Sequence, residues 1–173
     1  SVVNSKYSNT EILVVDNASS DGSEQIAFSY KNVRVILNPQ NVGYAAGNNV
    51  GIKQAKGKYI VALNNDIVVE PDWLNEPIAL MEQYDHIAIA GCRQMRRHAQ
   101  QIIDGLFLSV LKDLRTTAVG SDQEWNTKYA EFPCGFVIGV NGGSAIYRKS
   151  FLEDTQGFDE HFFGYYEDAD LCF

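Results

Sequence analysis

The chain has 173 residues and is 45% hydrophobic, enough for one domain with a sizeable core. Its formal net charge is -8 and its pI about 4.8, which argues against a nucleic-acid backbone as the main partner, because such binders carry a basic face. A small anionic ligand stays open, since a cation or a helix N-terminus can bind one inside an acidic protein. Cys92, Cys134 and Cys172 form no CxxC pair and read as three reduced, mostly buried thiols, not as a zinc knuckle or redox motif. No apolar run reaches the ~18 residues of a membrane span. No signal peptide is visible, so a cytoplasmic location is expected, with peripheral attachment at the inner face of a membrane as a variant. The chain starts without Met and stops inside a helical pattern, and reads as cut at both ends.

Residues 11–15, a short apolar and β-branched run, predict a strand buried on both faces. The polar stretch 16–23 follows, and Asp21 with Glu24 predicts a capping box opening a helix through Ile26, Ala27 and Tyr30. Residues 33–37 predict the next strand, 38–43 a loop and 45–55 a small-residue helix closed by Gly57. Residues 59–63 predict a third strand. Strand, helix, strand, helix, strand over about fifty residues implies right-handed parallel crossovers and a Rossmann-like half. Asp72 is the expected N-cap of a helix running to about Tyr84, and 87–91 predict a fourth strand. From Cys92 to Pro133 the pattern weakens: Arg93, Arg96, Arg97 and His98 make a local basic patch, and 102–111 fit strand or helix equally. A clear pattern returns over 136–147, broken by Asn141-Gly142-Gly143. A helix is expected from Tyr166, with acidic residues at its N-terminus.

In an open parallel sheet, ligands bind beyond the carboxyl ends of the strands. Three polar clusters fall there: Asp16-Asn17, the 38–47 loop and Asn64-Asn65-Asp66. Asp16 alone reads as readily as a helix cap. Gly43, Gly47 and Gly51 share one helical stripe, which serves close packing on the sheet or backbone approach to a phosphate. For Asn41, Gly43 and Asn48 the two readings are even; for Gly51 packing leads. Asp66, directly after an interior strand, would be costly if buried unpaired, and a hard divalent cation bridging it to a diphosphate would remove that cost. Glu167-Asp168-Ala169-Asp170 follows the aromatic run 162–166, pairing stacking faces with a carboxylate base for a hydroxyl. Either Glu167 or Asp168 fits that base, while Asp170 reads as capping or packing. His86, His98 and His161 have no metal-ligand spacing and read as surface or satisfied residues.

Together, Val14 through Ser23, Asn41 through Gly51, Leu63-Asn64-Asn65-Asp66, Asn141 through Arg148, and Gly157 through Leu171 resemble glycosyltransferase family 2, in its rhamnosyltransferase-like branch that builds bacterial surface polysaccharides. The motifs stand in family order from Glu11 to the end of the chain. The resemblance implies an α/β GT-A fold with a mostly parallel central sheet flanked by helices. It implies one partial domain over 1–173, with a nucleotide-binding half at 11–91 and an acceptor and catalytic half at 92–173. The implied activity is inverting, metal-assisted transfer from a nucleotide-sugar donor to a saccharide or lipid-linked acceptor. Asp16 would contact base or ribose, Asn17, Asn41, Gly43, Asn48 and Asn65 would help hold the donor, and Gly142 and Gly143 would line the sugar pocket. Asp66 would ligate Mg²⁺ or Mn²⁺, and here the DxD-type motif reads Asn-Asn-Asp, with one carboxylate. Asp168, the second acid of the Glu-Asp motif, would be the general base. Members open with a further strand carrying a Pro-x-Tyr-Asn-like segment, which this chain lacks, as it lacks the helical tail after the Glu-Asp motif. A missing first strand would leave a sheet edge open to homodimerisation.

Two other classes fit less well. A non-catalytic nucleotide-sugar-binding or assembly module is favoured by the Asn-Asn-Asp motif and the absent strand. A sugar-phosphate nucleotidyltransferase would need a Gly-rich, Arg/Lys-containing phosphate loop near the N-terminus, and none is present.

Overall fold

The computed structural model describes residues 1–111, 115–126, 137 and 139–172. After a 3-10 turn at Val2–Asn4, the elements in chain order begin with β1 (Ile12–Asp16), α1 (Ser23–Phe28), β2 (Val33–Leu37), α2 (Gly43–Gln54) and β3 (Tyr59–Leu63). Next come α3 (Asn75–Gln83), β4 (Ile89–Gly91), β5 (Gln94–Arg96), β6 (Ala99–Gly105), β7 (Leu108–Val110) and β8 (Thr116–Ala118). β9 (Ser144–Arg148), α4 (Lys149–Asp154) and α5 (Glu167–Leu171) complete them.

The β1-α1-β2 unit pairs in parallel, Ile12 opposite Val33 through Asp16 opposite Leu37. β9 runs antiparallel between β3 and β4, with Leu63 opposite Ser144 and Gly91 opposite Ala145. The α/β class therefore stands, while strand directions among the described residues are mixed, not mostly parallel. The Asn64 amide donates to the Gly143 carbonyl at 3.0 Å, so β9 starts beside the end of β3 and runs back along it. β5 with β6, and β7 with β8, form small antiparallel pairs in the region where periodicity was undecided.

β9 is covered on both faces, which is why its sequence shows no polar alternation. Ala145 and Tyr147 face one core with Ala45, Ala62, Leu152 and Phe158. Ile146 faces the other, with Leu74, Ile78 and Met81 from α3 and the turn before it. Arg148 donates to the Met81 carbonyl at 2.7 Å and the Ile87 carbonyl at 3.1 Å, satisfying acceptors at the end of α3 and before β4. α2 packs against β1 through Gly51, where a Cβ would meet Val15 Cγ2 at 3.2 Å, and against β3 through Ala45. That helix spans both strand groups, and its first turn becomes a structural hub of the site.

Three boundary expectations change. No capping box forms at α1: its N-cap is Gly22, and Asp21 Oδ1 instead accepts both the Ser23 amide and the Ser23 hydroxyl, a local turn that competes with the cap. α2 ends at Ala55 in extended backbone, two residues before Gly57. The N-cap of α3 is Leu74, because Asp72 closes a preceding turn through its own carbonyl, which accepts the Asn75 amide.

Candidate active site

β1 delivers Asp16, 8% exposed, to its carboxyl end, where Oδ2 accepts the Ser19 amide at 3.1 Å. Asn17 fastens three segments. Its Nδ2 donates to the Gly43 carbonyl at 2.9 Å, and its Oδ1 accepts from Asn38 Nδ2 at 2.7 Å. A Cβ on Gly47 would lie 2.8 Å from Asn17 Nδ2, so the bare backbone there makes room for this amide.

The first turn of α2 is held by protein groups. The Gly43 amide donates to Asn41 Oδ1 at 2.9 Å, and the Tyr44 amide donates to the Phe163 carbonyl at 2.6 Å. Gly43 has φ 85°, a left-handed conformation that side chains disfavour. Asn48 bonds back to the Tyr44 carbonyl at 3.0 Å. In this structure Asn41, Gly43 and Asn48 thus shape and hold the helix start.

The Asn64-Asn65-Asp66 turn sits beside the Gly142–Gly143 turn through the Asn64 amide bond to Gly143. Asn64 Oδ1 is buried and finds no hydrogen-bond partner among the described residues. Asn65 and Asp66 are exposed. The expectation that burial makes Asp66 demand a counter-charge is therefore corrected: the chain turns outward after β3, and water solvates this carboxylate. Among the described residues, no group of three His, Cys, Asp or Glu side chains could hold a metal ion. A cation at Asp66 would have one protein carboxylate and would need the oxygens of a bound diphosphate and water for the rest, a set that suits Mg²⁺ or Mn²⁺.

The Gly142–Gly143 turn is tied on several sides. Asn141 Oδ1 accepts the Gly143 amide at 3.1 Å. The Gly142 amide donates to Asp168 Oδ2 at 2.8 Å, and a Cβ on Gly142 would lie 2.9 Å from that oxygen. The Tyr44 hydroxyl donates to the Gly142 carbonyl at 3.0 Å.

α5 presents Glu167 and Asp168 differently. Asp168 is half-buried, and its other oxygen, Oδ1, accepts the Ala169 amide at 2.7 Å. Glu167 is 6% exposed, and its Oε2 has no hydrogen-bond partner among the described residues. Burial, with the Asp168 charge adding to it, pushes the Glu167 carboxyl above the usual range. Asp170 is exposed, and its amide completes the first helical turn to the Tyr166 carbonyl. Just before α5, Phe163, Tyr165 and Tyr166 are exposed, and both tyrosines take left-handed backbone, φ 70° and 72°. Two consecutive non-glycine residues in that region store backbone strain, a feature that clusters at functional sites.

Tyr44 and Asn49 escaped the sequence reading. The only cue for Tyr44 was a single aromatic in a helix of small residues. Burial, then the charges of Glu167 and Asp168, push its hydroxyl up to about 12, so it stays a donor at neutral pH. Asn49, 4% exposed, donates to the Phe158 carbonyl at 2.8 Å and to Glu160 at 3.0 Å, and accepts the Phe158 amide at 2.9 Å. It pins the loop that leads to α5. His161 is exposed and pairs with Asp159 at 2.7 Å, as a surface histidine. Arg93 stacks on Trp125 at 4.1 Å, and Arg96 pairs with Asp104 and Asp122, so these two cations of the basic patch are engaged within this region. Cys92 and Cys172 are free and half-buried, and burial raises both thiols; Cys134 lies outside the described residues. No helix among the described residues is long and apolar enough to cross a membrane.

The chain is 30% identical over 95 residues to a glycosyltransferase of Haemophilus influenzae, covering 53% of this chain and 29% of that one. Among solved structures it is similar to S. aureus TarS 1-349 in complex with UDP-GlcNAc, with TM-score 0.63 and 21% identity, over 99% of this chain and 46% of that one. It is also similar to the mannosyltransferase PcManGT of Pyrobaculum calidifontis in complex with GDP-Man and Mn²⁺, with TM-score 0.62 and 16% identity, over 92% of this chain and 41% of that one. The chain thus spans less than half the length of these relatives, and at such identities the solved structures establish the GT-A fold alone. The model of glycosyl transferase family 2 matches residues 1–155, and this chain belongs to that family.

Proposed function

We propose that this chain forms the donor-binding and catalytic part of an inverting glycosyltransferase that moves a sugar from a nucleotide-sugar to a hydroxyl of a saccharide or lipid-linked acceptor. The observation that carries this reading is the junction at Gly142–Gly143. There the Asp168 carboxylate, the α2 start and the turn leading to Asp66 meet within single hydrogen bonds of one glycine pair. Asp168 is the base, because it is half-buried with both oxygens held by backbone amides, whereas Glu167 is enclosed. Asp168 takes the proton of the acceptor hydroxyl. The resulting oxygen forms its bond to the anomeric carbon from the face opposite the leaving group. The bond from that carbon to the diphosphate oxygen breaks, the electron pair leaves with the nucleoside diphosphate, and the configuration inverts.

On the donor side, Asp16 and Asn17 face the nucleoside, and Asn65 with Gly142 and Gly143 borders the diphosphate and sugar. Asn41, Gly43 and Asn48 serve the donor by holding α2 in place. Asp66 would hold Mg²⁺ or Mn²⁺ together with the diphosphate. When bound, the cation supplies neutralisation of charge on the departing nucleoside diphosphate. The exposed aromatics Phe163, Tyr165 and Tyr166 offer ring faces to the acceptor beside the base.

A panel of UDP-, GDP- and dTDP-sugars, screened by thermal shift with and without Mn²⁺, tests the reading. Asp66→Ala is expected to abolish the Mn²⁺-dependent part of the shift; an unchanged shift removes the metal role. Asp168→Asn is expected to keep donor binding and lose transfer. Turnover retained in Asp168→Asn but lost in Glu167→Gln would move the base to Glu167. The lone, exposed carboxylate of the Asn-Asn-Asp motif supports a second reading, a module that binds nucleotide-sugar without transfer. Donor binding with neither hydrolysis nor transfer in the wild-type protein is the result that would favour it.

A further inference from the structure

We propose that Tyr44 is a positioning residue for the base, acting on Asp168 through the backbone of Gly142. The inference rests on Asp168 being the base of sugar transfer. Gly142 is gripped at both ends. Its carbonyl accepts the Tyr44 hydroxyl at 3.0 Å, and its amide donates to Asp168 Oδ2 at 2.8 Å. The carbonyl lies in the peptide shared with Gly143, whose amide donates to Asn141 Oδ1 at 3.1 Å, and the amide lies in the peptide shared with Asn141; with no side chain between them to set the dihedrals, the Tyr44 bond and that Asn141 bond together fix the second peptide and limit how far the first can turn. The clearance at Gly142 is small. A Cβ there would lie 2.9 Å from Oδ2 and 3.0 Å from Asp168 Cβ, so a rotation of this peptide is felt directly by the carboxylate.

Tyr44 is itself well anchored. It lies in the first turn of α2, its amide donates to the Phe163 carbonyl, and its ring meets Phe158 edge to face at 6.3 Å. Phe158 is in turn pinned by Asn49 from the next turns of the same helix. A phenol on a rigid helix thus reaches 98 residues along the chain to hold the peptide next to the one whose amide holds the base. An amide donated to a carboxylate fixes where its oxygen points, so loosening Gly142 lets Asp168 Oδ2 turn away from the line of an acceptor hydroxyl.

Tyr44→Phe keeps the ring and removes the hydroxyl. Hydrogen exchange at the Gly142 amide is followed by NMR in the wild type and in Tyr44→Phe. Transfer is measured in the same proteins with the nucleotide-sugar that gives the largest Mn²⁺-dependent thermal shift. The expected result is faster exchange at Gly142 and a kcat about tenfold to a hundredfold lower, with donor KM within about twofold, because misdirecting a base by a fraction of an ångström costs rate and not binding. A lower melting temperature with unchanged kcat and unchanged Gly142 exchange would show a merely structural bond and overturn the proposal. If Asp168→Asn turns over at the wild-type rate, the base assignment fails instead, and exchange at Gly142 still reports whether Tyr44 secures the amide that holds Asp168.

Discussion

Consider Gly43→Ala at the start of α2. Gly43 has φ 85°, and an added Cβ would collide with the Phe163 carbonyl oxygen and stand 2.8 Å from Phe163 Cδ2 and 3.0 Å from Phe163 Cα. Two of these are backbone atoms, so the contact cannot be relieved by turning a side chain. Left-handed backbone costs a non-glycine residue about 1–2 kcal/mol. Pushing the Phe163 carbonyl away also breaks the bond it accepts from the Tyr44 amide at 2.6 Å. Losing that bond costs about 0.5–1.5 kcal/mol, and more where the freed amide stays shielded from water. The sum is about 1.5–3.5 kcal/mol. In a domain of this size each kcal/mol lowers Tm by about 2–4 °C, so Gly43→Ala is expected to melt about 3–14 °C below the wild type. Circular dichroism melts measure it directly. Gly164→Ala is the matched control in the same loop: no heavy atom lies within 4 Å of its Cβ position, and its φ is not in the left-handed range, so the change stays within about 0.5 kcal/mol. A Gly43→Ala protein melting within about 2 °C of wild type, or a Gly164→Ala protein losing as much as Gly43→Ala, would refute the reasoning.

Asn49→Ala removes a buried amide that makes three hydrogen bonds and leaves both the amide and the carbonyl of Phe158 unpaired, an expected loss of about 2–4 kcal/mol. Hydrogen exchange at the Phe158 amide is expected to accelerate, and wild-type protection there would contradict the pinning role. Glu167→Gln reads the buried carboxyl. Its folded-state pKa is raised, so the fold binds the proton more tightly than the unfolded chain and loses stability as pH rises from about 4.3, the ordinary Glu value. Glu167→Gln is therefore expected to be the more stable protein at pH 7–8, with the difference closing below about pH 4. A gap in Tm that is independent of pH would show that Glu167 is not held out of its ordinary range.

How much of this was legible beforehand depended on the range of the interaction. The strands at Ile12–Asp16, Val33–Leu37 and Tyr59–Leu63 stood out within a residue, because short apolar runs between turn-forming residues leave little choice. Helix starts were less legible, because they turn on which donor wins a local hydrogen bond. Asp21 gave its oxygen to Ser23 and not to a cap, and α2 began at Gly43 because Asn41 accepts its amide. Strand direction was legible only for β1 and β2, whose helical crossover makes them parallel. The partner of β3 comes from more than 80 positions later, and nothing in the run 59–63 says whether a neighbour is parallel.

The residue types of the site were legible in the same limited way. Polar residues directly after buried strands marked Asp16, Asn17, Asn65 and Asp66, and acids beside aromatics marked Glu167 and Asp168. The sequence by itself determined which chemical groups are available and that strand ends would collect them, since backbone periodicity and burial are local properties. Only the tertiary structure decided that Asp66 faces water and Glu167 is enclosed, and that Asp168 reaches Gly142 while Tyr44 holds the other end of that glycine. Those outcomes depend on contacts between segments 26 to 98 residues apart, where a change of a fraction of an ångström exchanges one hydrogen-bond partner for another.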